Sequence, residues 1–450
     1  MTNITGNYLQ TFLDEKILNQ GIKQSNFFNG RILNAQDLQD EQLASVSRLQ
    51  QIRQAIGDGV VNGLEVALAT DGADGNPPVL HISPGLAFNR CGQAVALQLD
   101  VNLTLTGYSQ PPPADAGLFK TCQSGITSQS ITGRNIYILV ASPVSGYNEK
   151  APQRGFNSGT VTGCGDRYAV EGVQFHTLEL QVNSLPRLSQ ATLTALADLM
   201  SKDDAASLSK LRNWLAHVCF GTEERAAFFS DPFQTASDTS ASLSYGAIDA
   251  LRAANTLTDC DVPLALLYWT PGGVKFVDMW AVRRGLAKRT TDLWSSLLDN
   301  RRVSEGKAML MQFEDQVKVM RNDPSNNAGA IAATDYFQYL PPVGIVPVLS
   351  DNFDKGFQEY LFFNGILHYP IIDIEGARLE ALIHTGLYYP PQVLNSGVML
   401  WIYRIRENVQ AGEAAGQNTV QPYLVFSTGH MPAIGDPHFD VNRWNFSNWA

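Results

Sequence analysis

The chain has 450 residues, enough for two to four folded units at roughly 100 to 200 residues each. Lys and Arg number 32 against 43 Asp and Glu, a formal net charge of −11, which excludes a mainly electrostatic grip on nucleic acid or on an anionic membrane. The apolar fraction of 44% is that of a globular protein, but the charged fraction of 17% falls below the usual ~25%. The surface is therefore rich in Gln, Asn, Ser and Thr. Charge depletion marks the buried centre of protein contacts, so assembly is the first expectation.

In chain order, Leu9, Phe12, Leu13 and Ile17 fall on one stripe that predicts a helix over 8–20, closed by Gly21. No basic, apolar leader precedes it, so no secretory signal is expected. Nor does any window reach the ~18 consecutive apolar residues of a membrane span. After the turn at Asn26–Gly30, Asn34 is placed as an N-cap with Asp37 three positions on. Leu43, Val46, Leu49, Ile52 and Ile56 continue at helical spacing to Gly57.

From Val60 to His176 the period changes to two, with short strand-like runs around Leu64–Leu68, Val79–Ile82, Ala94–Leu99 and Asn135–Val140. Gly85 and Gly92 punctuate a hairpin, while Pro111–Pro113 and Pro152–Gly165 read as surface loops. Residues 189–217 return to helical spacing, broken near Ser201 and Asp203. Asp261–Tyr268, the turn Thr270–Gly273 and Val274–Val282 make the clearest hairpin. A long basic helix is predicted from Leu286 to Arg321. A strand follows at Val398–Ile405, and the chain closes on Phe439, Trp444, Phe446 and Trp449, an aromatic tail that must dock in its own domain or in a neighbour.

The sequence lacks the common motifs of phosphate, metal and nucleophile chemistry. There is no phosphate-cradling GxxxxGK[ST], no HExxH and no GxSxG, and Gly57–Gly63 runs from helix to strand, opposite to a dinucleotide loop. The five cysteines are scattered without a CxxC, so a disulfide framework is not expected, although Cys122 and Cys164 could meet. His438 with Asp436 and Asp440 is the one local ligand set, short of a zinc cage; no metal or cofactor is expected. Arg283, Arg284, Lys288, Arg289, Arg301 and Arg302 form a basic set, read as a solvated helix face or one paired with an acidic partner.

Three strings then carry a resemblance: Phe27-Phe28-Asn29-Gly30-Arg31-Ile32-Leu33-Asn34-Ala35-Gln36-Asp37-Leu38, Gly59-Val60-Val61-Asn62-Gly63-Leu64-Glu65-Val66, and Ile82-Ser83-Pro84-Gly85-Leu86-Ala87-Phe88. Together with Arg212–His217, Val262–Leu266, Val282–Arg284 and Leu340–Gly344, the chain resembles proteins encoded with phage-tail-like contractile injection systems. The resemblance implies an accessory or baseplate-type component without a catalytic role. It also implies particle-associated localisation after cytoplasmic assembly, and baseplate, sheath or tail subunits as partners in a symmetric, homo-oligomeric setting. The alternative is a peripheral fibre or anchor binding a glycan, cell-surface or membrane partner.

The residues themselves read as fold determinants: Gly30, Asn34 and Asp37 at a helix start, and Gly59, Gly63, Pro84 and Gly85 at tight turns. Candidate interface residues are Phe27, Phe28, Arg283, Arg284, Phe439, Trp444, Phe446 and Trp449. The expected fold is α+β. It divides into an N-terminal helical segment (1–59), a β-rich domain (60–185), a mixed helical domain (186–325) holding the hairpin 261–282, and a C-terminal α/β region (326–450).

Overall fold

Asn135–Ala141 is apolar at nearly every position, and the structure shows why: it forms a strand buried on both faces. In the computed structural model, whose described residues are 18, 21–72, 77–105, 133–154, 161–185, 188–224, 245–288, 300–323, 328–350, 353–394, 397, 399–405 and 421–429, this strand opens β7 (Asn135–Arg154). It lies in an antiparallel sheet with β8 (Val161–Glu179), β9 (Val262–Thr270) and β10 (Gly273–Asp278), in the order β10-β9-β7-β8. Successive side chains point to opposite faces. Ile136, Ile138 and Val140 join Leu266 and Tyr268 in a core capped by helices; Tyr137, Leu139 and Ala141 join Leu264, Ala265 and Leu267 in a second core.

Two small antiparallel sheets cover that second face. One orders β1 (Gly59–Gly63), β4 (Gly85–Phe88) and β5 (Ala94–Leu97); the other orders β2 (Val66–Thr70), β3 (Val79–Ile82) and β6 (Val101–Thr104) as β2-β3-β6. Their junction is tight. Gly63 has φ +55°, and a Cβ there would lie 1.8 Å from the Pro84 carbonyl oxygen, so only glycine fits. The helical face is covered by α2 (Gln190–Met200), α3 (Ala205–Phe220) and α4 (Gly246–Ala253). Ser189 and Asp204 cap α2 and α3, so the break expected near Ser201 and Asp203 is a true helix boundary.

The rod α5 (Asn300–Asn322) joins the two halves of the molecule. Ala308 and Met309 enter the helix-covered core, while Phe313, Val317 and Met320 pack with Leu340, Phe362 and Phe426 in the C-terminal core. The C-terminal sheet orders β12 (Val343–Pro347), β16 (Tyr423–Ser427), β15 (Trp401–Ile405) and β13 (Ile372–Ile374) as β12-β16-β15-β13, with β13 parallel to β15. Tyr339–Leu340 (β11) pairs with Gln392–Val393 (β14). The fold is α+β, and among the described residues no helix is long and apolar enough to cross a membrane.

Several expectations are corrected. The hairpin 261–282 completes the sheet of the β-rich region, so one sheet runs across the boundary drawn at 185. Pro152–Gly165 is not a loop throughout: Pro152–Arg154 ends β7, Val161–Gly165 opens β8, Pro152 is paired with Cys164, and residues 155–160 lie outside the described residues. An exposed two-stranded ribbon needs no apolar alternation, which is why it read as a loop. The basic helix does not begin at Leu286. Residues 284–287 instead run beside Asp58–Val60, where Val60 N–H donates to the Arg284 carbonyl (2.9 Å) and Leu286 N–H to the Val60 carbonyl (3.1 Å). Gly59 allows this close approach: it has φ +131°, and a Cβ would lie 2.7 Å from the Gly285 oxygen. Cys260 is disulfide-bonded, against the expectation of idle thiols, while Cys164 and Cys219 are free. The helix predicted over 8–20, Cys122, Arg289, His438 and the aromatic tail lie outside the described residues.

Candidate functional site

The string Arg212–His217 sits on the innermost turns of α3, and each polar member of it ties a different element. Arg212 Nε donates to Asp278 at the end of β10 (2.7 Å) and its Nη2 to Asp315 on α5 (2.5 Å). Asn213, fully buried, accepts through Oδ1 from the backbone N–H groups of Gln338 (3.0 Å) and Tyr339 (2.8 Å). His217 stacks on Tyr339 at 4.5 Å between ring centroids and shares a hydrogen bond with Thr222 (2.8 Å). Burial lowers its pKa to about 3, so it is a neutral packing group at physiological pH.

Between α4, α5, β9 and the 284–288 segment lies a cavity of about 360 Å³ with a densely charged wall. Arg301 donates to Asp249 (2.7 Å) and Glu305 (2.9 Å) and lies 4.4 Å above the Tyr245 ring, and Tyr245 donates its hydroxyl to Glu305. Arg90 stands among Asp58 (3.5 Å), Asp249 (3.8 Å) and Asp259 (3.8 Å). Burial, helped by the nearby Arg90 charge, brings the Arg252 pKa down to about 10. Cys219 is the thiol on this wall. Burial pushes its pKa up to about 12, so it carries no thiolate at neutral pH. The alternating charges clamp four segments of the chain together.

Ser142, His176 and Asp261 also meet in the interior. Ser142 donates to Asp261 Oδ1 (2.5 Å), and His176 Nε2 stands 3.7 Å from that same oxygen. In a nucleophilic triad the imidazole lies between hydroxyl and carboxylate. Here both groups approach the carboxylate, all three are buried, and burial lowers the His176 pKa despite Asp261. Among the described residues, no group of three or more His, Cys, Asp or Glu is placed to hold a metal ion.

Two exposed surfaces stand apart from these buried networks. The first is α1 (Ala35–Ile56), capped by the reciprocal Asn34–Asp37 box and ended at Gly57. Asp37 and Ala44 are its buried residues, whereas Leu38, Leu49, Ile52 and Ile56 are 50–58% exposed. Phe27 and Phe28 lie exposed just ahead of it. The second is the outer half of the β7–β8 hairpin. Beyond the Ser145–Glu171 pair, Gly146–Lys150 and Asp166–Val170 are exposed, Tyr147, Tyr168 and Val170 among them.

The sequence-predicted sites divide accordingly. Phe27 and Phe28 are surface residues, as an interface requires. Arg283 and Arg284 are not available as interface residues. Arg283 is buried and donates to the carbonyls of Leu64 (2.6 Å) and Gly63. Arg284 donates to the carbonyls of Trp280, Ala281 and Arg283, with its guanidinium 4.4 Å above the Phe220 ring. Arg283, Arg284, Arg301 and Arg302 thus find partners inside the chain, each on a carbonyl or a carboxylate. Asn34 and Asp37 form the cap of α1, Gly59, Gly63 and Gly85 sit where a Cβ would meet backbone at under 3 Å, for Gly63 the Pro84 carbonyl, and Gly30 has φ +90° in the turn before α1.

Sequence reading missed Leu38 as a member of the α1 stripe, and did not foresee that the stripe faces outward. The signal was present, since Leu49, Ile52 and Ile56 recur at alternating steps of three and four. The outer hairpin was missed as well. No protein-family model matches the chain, and no curated protein matches it.

Proposed function

We propose that the chain is a structural subunit, a baseplate or peripheral component, of a contractile injection system or phage-like tail, acting through contacts with baseplate, sheath or tail subunits. The observation that supports it most is the outer β7–β8 ribbon. From Gly146 to Arg154 it extends about 30 Å at ~3.3 Å per residue. β9 pairs with β7 at Asn135–Ala141, well short of this stretch. An isolated two-stranded ribbon is marginal in water, and its free edges are templates for a further strand. Exposed Tyr147, Tyr168 and Val170 supply apolar area, and Lys150–Asp166 and Arg167–Glu149 ion pairs hold the register. Such an arm is built to be completed by a neighbour. The sequence strings that resemble injection-system components, and the low charge content, support the same reading.

Replacing Gly146–Val170 by an Asn-Gly turn tests it, because the pairs up to Ser145–Glu171 keep the central sheet. The shortened chain is expected to fold with an unchanged circular-dichroism spectrum and to lose co-sedimentation with sheath and tube. Equal co-sedimentation of both chains, or a full-length chain that never sediments with such particles, overturns the reading.

A further inference from the structure

The cavity between α4, α5, β9 and the 284–288 segment holds more positive charge than its own acids take up. Five basic side chains line it, Arg90, Arg252, Arg284, Lys288 and Arg301, against four acids, Asp58, Asp249, Asp261 and Glu305. Two of those acids are buried and fully engaged. Asp261 accepts from Ser142 (2.5 Å) and from the N–H and hydroxyl of Thr258 (2.7 and 2.8 Å), and Glu305 accepts from Tyr245 (3.0 Å) and Arg301 (2.9 Å).

The arginines are engaged differently. Arg284 donates to the carbonyls of Trp280, Ala281 and Arg283, and Arg252 to those of Thr258 (2.8 Å) and Asp261 (3.3 Å). A carbonyl satisfies an N–H but leaves the cationic charge uncompensated. Arg252 and Arg90 each stand 3.8 Å from one and the same oxygen, Oδ1 of Asp259. Arg90 has its carboxylate neighbours at 3.5–3.8 Å, its Nε lacks a hydrogen-bond partner, and 22% of its side chain stays open.

We infer that this cavity binds a small organic anion, its carboxylate or phosphate group against Arg90 and Arg252 and its apolar body on Phe220 and Ile248. The lining carries one more cation than it has acids, and in a space of about 360 Å³ walled by protein that sign favours an anion over a cation. The volume is that of a small-molecule site. Phe88, Phe220, Ile248 and Val262 give it apolar surface beside the charged wall, so a ligand with an uncharged body fits better than a bare ion. Lys288, exposed, extends the positive lining to the outside and draws an anion in. The site is separate from the outer ribbon and stands or falls independently of the assembly reading.

Calorimetric titration of the full chain with phenyl phosphate, benzoate and benzyl alcohol tests it. At least one of the two anions is expected to bind at one per chain, and benzyl alcohol, the same ring without the charge, at least about tenfold more weakly. Arg90→Gln should weaken the anion at least about tenfold. Lys288→Gln should weaken it about threefold with an unchanged melting temperature, which a fold defect cannot mimic. Binding of either anion that falls in both variants supports the inference, and the tighter of the two assigns the head group. Absence of binding by both anions at millimolar concentration, benzyl alcohol binding as tightly as the anions, or an affinity indifferent to Arg90→Gln and Lys288→Gln overturns it.

Discussion

Arg283 Nη1 donates to the main-chain carbonyl of Leu64 at 2.6 Å, across 219 positions of sequence. Leu64 is fully buried and holds φ +54°, a left-handed conformation that costs of order 1 to 2 kcal/mol for a branched side chain. The guanidinium also takes the Gly63 carbonyl, so one fork holds both residues of the β1–β2 junction in place. Arg283→Leu leaves two carbonyls without donors and is expected to cost about 2–4 kcal/mol in chemical denaturation. Arg283→Lys, which cannot span both oxygens, is expected to recover less than half of that. Lys288→Ala, at an exposed site nearby, should stay within about 0.5 kcal/mol of the unchanged chain.

Asn213 is the second tie of this kind. Its Oδ1 takes both N–H groups that lead into β11, joining α3 to the C-terminal half. Asn213→Ala is expected to cost about 2–3 kcal/mol, since it orphans two buried donors. Hydrogen exchange should show the amides of Gln338 and Tyr339 losing protection first.

Two buried groups titrate in opposite senses. His217, held by burial at about 3, binds no proton in the folded state between pH 6.5 and 3, whereas the unfolded chain does. Its contribution is therefore complete above about pH 6.5 and is lost as pH falls, at up to ~1.4 kcal/mol per pH unit. Burial raises the Glu314 pKa to about 7, even though its carboxylate accepts from Ile345 N–H (2.7 Å). The folded state thus keeps a proton that the unfolded chain releases above pH 4.5, and stability falls as pH rises from 4.5 through 7. Melting temperature against pH should rise to a maximum in this window. Glu314→Gln should flatten the alkaline limb and His217→Gln the acid limb; unchanged slopes in both variants would contradict these assignments.

Much of the fold was legible because its determinants are local. The Asn34–Asp37 box, the glycines at 57, 59 and 63, and the hairpin at Thr270–Gly273 each announce a boundary within a few residues. Periodicity alone said that residues 43–56 form an amphipathic helix, but not which side meets the protein, because that depends on what else is near. The Arg283 and Arg284 roles were illegible for the same reason. A guanidinium in sequence looks equally suited to solvent, a partner or a carbonyl 219 positions away. The outer ribbon escaped because its exposed stretches, Gly146–Lys150 and Asp166–Val170, carry no alternating apolar pattern.

The strand β16 lies between β12 and β15, although it comes last of the three in the chain. During synthesis, then, β12 and β15 emerge from the ribosome with a gap between them that nothing can fill until Tyr423–Ser427 arrives. Every truncated product that stops before that strand leaves Phe426 out of the cluster it shares with Phe313 and Phe363, and exposes two unfinished edges. Closure of this half's sheet and core therefore waits for translation to reach its final described strand.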